Sequence, residues 1–83
     1  MAEAIDELEQ ARRDVGLSVP DLWIRYFGLG GMSTALEVEA ILYGALIATD
    51  HERDILAVAL NERFAEQGSD HPVRYIGDGP AHT

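Results

Sequence analysis

The chain has 83 residues with no cysteine and no lysine, and it carries 15 acidic against 6 basic side chains, a formal net charge of -9. This excludes a disulfide framework and any cysteine-based metal site or nucleophile, and it disfavours nucleic acid as a partner, because an acidic surface repels phosphate backbones. A hydrophobic fraction of 47% is that of a globular chain, and this length predicts one domain with a small core, of the kind that oligomerisation often supports.

The first predicted helix runs from Ala2 to Val15. Ile5, Leu8, Ala11 and Val15 recur on one stripe. Glu3, Asp6 and Glu7 suit the positive end of the helix dipole, and Arg12 and Arg13 suit the negative end. Glu9 and Arg13 are spaced for a surface ion pair on a solvated face, and Gly16 is the stop.

The second helix is the centre of the predicted domain. Ser18 is placed to cap it by accepting from the N–H of Asp21, with Leu17 and Leu22 positioned as a hydrophobic staple. Pro20 falls in the first turn, where its missing N–H costs nothing. Leu22, Trp23, Tyr26 and Phe27 give the helix a large apolar side. Gly28, Gly30 and Gly31 end it. The cluster of aromatics reads either as core or, for Trp23 and Tyr26, as a partner anchor. Arg25 reads either as paired with Asp21 one turn back or as an interface cation beside the aromatics.

Thr34 and Glu37 form a capping box that opens a third helix, predicted over about Ala35 to Ile47. Leu36, Ala40, Tyr43 and Ile47 make one stripe, and Val38, Ile41, Leu42 and Leu46 widen it. A helix this apolar all round needs cover on two sides, by its own domain and by a second copy. Gly44 costs about 1 kcal/mol inside a helix unless a bend or a close approach uses it. Thr49 and Glu52 form another capping box for a fourth helix over about Asp50 to Gln67. Ile55, Leu56, Ala59, Leu60 and Phe64 form its apolar stripe. His51, Asp54, Asn61, Glu62 and Glu66 fall on its polar face. The tail, residues 69–83, is predicted to be extended, with Val73, Tyr75 and Ile76 able to fold back onto the helices.

Little in the chain points to chemistry. Gly28-Leu-Gly-Gly31 has the glycines of a phosphate loop, but neither the preceding strand nor the following lysine that such a loop requires. His51, His71 and His82 have no partner at helical spacing, and Asp70 with His71 lacks a third metal ligand. Glu37 and Glu39 point to different sides of their helix, which is poor geometry for shared acid–base work. Ser18, Ser33 and Thr34 are better caps than nucleophiles. No catalytic, cofactor or metal residues are therefore assigned, and a non-enzyme is expected.

Over Arg12-Arg-Asp-Val-Gly-Leu-Ser-Val-Pro-Asp-Leu22 the chain resembles phage-repressor-type helix-turn-helix domains, in which such a segment ends one helix and begins the next. That resemblance implies a DNA-reading helix after the turn, where this chain has Glu37, Glu39 and no cation. Over Leu22-Trp-Ile-Arg-Tyr-Phe-Gly-Leu-Gly-Gly-Met-Ser-Thr-Ala-Leu-Glu-Val-Glu-Ala40 it resembles small, acidic, lysine-poor helical proteins of actinobacteria, which implies a bacterial cytoplasm. No signal peptide or membrane span is read in the sequence.

The expected fold is all-α: a compact four-helix domain over residues 1–68, a degenerate helix-turn-helix if the first resemblance holds, followed by an extended tail. The expected function is a regulatory, homodimeric protein–protein interaction module with a second, basic partner, and the alternative is a helix-turn-helix transcriptional regulator. The candidate interface residues are Trp23, Arg25, Tyr26, Ile41, Tyr43 and Phe64.

Overall fold

A polar side chain caps the start of each helix. In a computed structural model, which describes residues 6–69 and 73–75, these residues form α1 (Glu7–Val15), α2 (Val19–Gly28), α3 (Ala35–Leu42) and α4 (Asp50–Glu66). Asp6, Ser18, Thr34 and Thr49 accept from the first free backbone N–H groups at 2.8, 3.2, 3.1 and 3.1 Å. Each such cap contributes about 1 kcal/mol. At Thr34 the box is complete, with Glu37 accepting from the Thr34 N–H at 2.8 Å. At Thr49 only the hydroxyl half is present, because the Glu52 carboxylate bonds elsewhere.

The third helix is shorter than its apolar pattern predicts. It stops at Leu42 instead of continuing to Ile47, because Gly44 adopts a left-handed φ of 79°. Gly44 N–H donates to Ile41 at 3.1 Å and Ala45 N–H donates to Ala40 at 2.8 Å. This pair of bonds is a Schellman closure, which satisfies carbonyls that a longer helix would otherwise bond. The same pair closes α2 at Gly30 and Gly31, and α4 at Gly68 and Ser69. In the first helix, Ala2 to Ile5 lie outside the described residues.

α4 packs against α1 and α2, and α2 packs against α3. Leu8, Ala11 and Val15 of α1 meet Ile55, Leu56, Ala59 and Leu60 of α4 in a core completed by Leu17, Leu22, Tyr26, Val38, Ile41 and Leu42. The described parts of the predicted α1 and α4 stripes therefore face inward, whereas the α2 stripe splits: Leu22 and Tyr26 are buried, Trp23 is half-buried and Phe27 is exposed. Leu17 and Leu22 of the staple are both buried. Polar ties fasten α1 to α4 at both ends: Arg53 reaches Asp6 at 2.9 Å, and Gln67 Nε2 donates to the Val15 carbonyl at 3.0 Å.

Three polar residues read as solvated are buried. Asp54 and Asn61 lie inside, not on an outer face of α4. Glu9, 1% exposed, is not half of a surface pair. It accepts from Arg12 Nε and Nη2, both at 2.7 Å, and from Arg13 Nε at 2.8 Å. Arg12 Nη1 also donates to the Leu17 carbonyl at 2.7 Å, just past the end of α1. A buried carboxylate costs several kcal/mol in lost hydration, which only geometry of this quality offsets. The Arg12 bond holds the Glu9 carboxyl below its usual range although burial acts the other way.

The tail returns to the core. Val73 is buried, and the Asn61 side chain holds both its N–H and its carbonyl. Of the predicted patch, Tyr75 packs partly buried against the core. Ile76 lies outside the described residues, as do Asp70, His71 and His82.

Candidate functional site

The apolar side chains of α2 and α3 are more numerous than one core can enclose. On α2, Leu22 and Tyr26 point to the core, while Ile24 falls opposite them, about 200° around a 3.6-residue helix from Leu22, and is exposed. On α3, Val38, Ile41 and Leu42 point inward. The stripe of Leu36, Ala40 and Tyr43 turns outward, and Ile47 beyond the helix also lies in solvent. Leu36 is 74% exposed, Ile47 96% and Met32, in the α2–α3 turn, 90%. Phe27, Leu29 and Leu46 are also exposed. Among the described residues, every exposed large hydrophobic side chain falls between positions 24 and 47.

The candidate interface residues separate into three groups. Tyr26 and Ile41 are core residues, fully or nearly fully enclosed by the chain itself, and this corrects their assignment to a surface. Phe64 packs half-buried against the core. Trp23 and Tyr43 do reach the surface. Trp23 is half-buried, donates Nε1–H to the Ser33 carbonyl at 2.9 Å and stacks on Phe27 with ring centroids 5.2 Å apart. Tyr43 is more than half exposed and lies close enough to Arg12 to help raise its pKa, after the larger effect of Glu9.

Of the two readings of Arg25, the pairing with Asp21 is not the one found. Arg25 reaches across to α4 and makes a two-pronged bond to Glu66, 2.8 Å on each prong. Arg63 joins the same carboxylate at 3.2 Å. These two arginines, Arg25 first, hold the Glu66 carboxyl down at about 2. With Gly16, Leu17, Asp21 and Ile24 they line an open groove of about 470 Å³. Its two cations share the Glu66 carboxylate, and Asp21 supplies a second negative charge in the same lining. Pairing is general: each of the six arginines of the chain is ion-paired, Arg12 and Arg13 to Glu9, Arg25 and Arg63 to Glu66, Arg53 to Asp6 and Arg74 to Glu7.

Under this surface lies a network centred on Tyr26. Its hydroxyl donates to Glu52 Oε1 at 2.6 Å and accepts from the Ser33 backbone N–H at 2.8 Å. Ser33 Oγ donates to the same Glu52 oxygen at 3.0 Å. Glu52 thus leaves its own helix cap to fasten the α2–α3 turn onto α4. Burial first, and the bond to Glu52 second, push the Tyr26 phenol above its ordinary range. Gly31 lies flat against the ring: a Cβ there would overlap it. The network fixes the angle at which Trp23, Phe27, Met32 and Leu36 are presented.

Ile24 and Leu36, not among the candidate interface residues, had a legible signal. Ile24 falls opposite Leu22 on a helical wheel, and Leu36, Ala40 and Tyr43 form a stripe opposite Val38, Ile41 and Leu42. What was not legible is which of two apolar stripes on α3 meets α2. Among the described residues no helix is long and apolar enough to cross a membrane, and no three metal-binding side chains are grouped to hold an ion. Compared with family models, with curated proteins and with solved structures, the chain matches none of them.

Proposed function

We propose that the chain is a non-enzymatic protein–protein interaction module that pairs with a second copy of itself through the outer face of α2 and α3. The observation that carries this reading is that, among the described residues, every exposed large hydrophobic residue falls in the segment from Ile24 to Ile47. Their combined exposure equals that of about five fully exposed side chains, on the order of 500 Å² of apolar area at roughly 100 Å² each. That is the apolar part expected of one side of a standard interface of about 800 Å² per partner. Arg25 contributes at the border, bound to Glu66, and not as a free cation. The unbalanced acidic residues elsewhere favour a basic second partner by steering.

The helix-turn-helix alternative gains no support from the outer face of α3, which presents Leu36, Glu37 and Tyr43. The paired state of every arginine leaves few cations to displace counterions from DNA.

Light scattering on a size-exclusion column tests the proposal. A dimer is expected at micromolar concentration, and Leu36→Glu combined with Ile47→Glu should give a monomer of unchanged helicity. A monomeric wild-type chain at high micromolar concentration refutes self-association. A sequence-specific gel shift with a steep salt dependence would instead establish the DNA-binding reading.

A further inference from the structure

We propose that the groove between α1 and α4 is a peptide-binding site held shut by the chain's own Val73-Arg74-Tyr75 segment, and that its external ligand is a short segment of another protein carrying an aliphatic residue, then a cation, then an aromatic residue. The site is built around Asn61, which is 2% exposed. Its Nδ2 donates to the Val73 carbonyl at 3.0 Å, and its Oδ1 accepts from the Val73 N–H at 3.1 Å. One side chain thus satisfies both main-chain groups of one residue, as a neighbouring strand would. Recognition of this kind reads the main-chain groups of one residue, whatever side chain it carries, and leaves specificity to the surroundings.

Those surroundings define the ligand. Val73 is buried in the core, so the clamped position takes an aliphatic side chain. Arg74, its side chain 85% exposed, reaches Glu7 of α1 at 3.2 Å over the surface, so the next position has no pocket and a cation is favoured there only by a solvent-screened ion pair. The Tyr75 hydroxyl accepts from Asn61 Nδ2 at 3.3 Å, so an aromatic residue with a polar tip follows. Residues 73–75 are neither helix nor strand, and they fill the groove incompletely. A cavity of about 50 Å³ remains between them and the helices, lined by Glu7, Leu8, Arg53 and Arg74.

Segments fastened by so few groups open more readily than the helices they rest on. When this one opens, a buried amide loses its partners and an apolar hole is left, so a segment with the same pattern is favoured to enter. While the chain's own segment is in place, the apparent dissociation constant for such a ligand is raised by the inverse of the open fraction. This face is separate from that of α2 and α3: none of the exposed large hydrophobic residues is on α1, on α4 or in 73–75.

The test uses the full chain and a fluorescent synthetic peptide, His-Pro-Val-Arg-Tyr-Ile-Gly, followed by anisotropy. Val73→Asp should release the internal segment and tighten peptide binding by about tenfold or more. Adding Asn61→Ala to that variant should cancel the gain, and a peptide with Glu in place of its Arg should bind several-fold more weakly. A Val73→Asp chain that keeps its helicity and binds no tighter than wild type overturns the proposal, as does tighter binding indifferent to Asn61→Ala. If Val73→Asp loses its helicity, hydrogen exchange in the wild-type chain decides. The Val73 amide should exchange at least tenfold faster than the amides of Leu56 to Leu60, and exchange at the rate of those amides overturns the proposal.

Discussion

Replacing Tyr26 by Phe removes one oxygen from the middle of the molecule and leaves the ring in place. The hydroxyl donates to the Glu52 carboxylate at 2.6 Å and accepts from the Ser33 N–H at 2.8 Å. A hydrogen bond to a charged group contributes about 1.5–3 kcal/mol, and a stranded buried donor costs about 1–3 kcal/mol. Glu52 is half-exposed, so water can serve its freed oxygen, while the Ser33 N–H is left without its partner. The expected loss is therefore about 2–4 kcal/mol, a large share of the roughly 5–15 kcal/mol that holds a domain folded. Urea unfolding followed by far-UV circular dichroism and by Trp23 fluorescence, at one fixed protein concentration, measures it. The midpoint should fall while the slope is unchanged. The raised phenol pKa gives a second, signed test. Because the folded value lies above the unfolded one, the contribution is fully present below about pH 10 and is lost as pH rises through the folded value. The Phe variant lacks that loss, so the gap between the two proteins should narrow in alkali. A stability change under about 0.5 kcal/mol, the level of an ordinary surface substitution, would refute the reasoning by showing that the network holds nothing together.

Gly31→Ala forces a Cβ into the enclosed Tyr26 ring, and overpacking of this kind should cost about 1–3 kcal/mol in the same urea assay. Gly44→Ala meets no neighbouring atom, so only its left-handed backbone is penalised; the expected loss is about 1–2 kcal/mol, with the circular dichroism of the folded state unchanged. Glu66 has its carboxyl lowered to about 2 by Arg25 and then Arg63, so its contribution is full above the ordinary carboxylate value and is lost as pH falls through about 2. The urea midpoints of wild type and Glu66→Gln should therefore converge between about pH 4.5 and pH 2, and an advantage of constant size over that range would count against the pairing.

The helix starts were the most legible part of the fold, because Ser18, Thr34 and Thr49 act through bonds made within three residues. Helix ends were nearly as local: Gly44 marks the stop of α3, although the apolar run to Ile47 argued for continuing through it. Burial of polar groups was not legible. Glu9 has the spacing of a surface pair with Arg13, and only the fold shows that Arg12 encloses it. Asn61 looks like any outer-face amide until Val73, twelve positions later, lies against it. Of the candidate interface, Trp23 and Tyr43 reach solvent, whereas Tyr26 and Ile41 do not. Periodicity shows that α3 has two apolar sides, but the choice between them is made by α2. Arg25 was misread for the same reason, since its partner Glu66 is forty-one positions away and no local pattern competes with Asp21.

The stitching of α1 to α4 at both ends has a consequence for how the chain assembles. The ties from Asp6 to Arg53 and from Val15 to Gln67 join residues about fifty positions apart, whereas α2, α3 and the start of α4 meet over much shorter separations. Closing the larger loop carries the greater entropic penalty and comes late. During synthesis α1 is made before α4, so its berth is absent until Gln67 has followed. The first of the four helices to be made is the last to find its place, and until then its greasy stripe is open to chaperones.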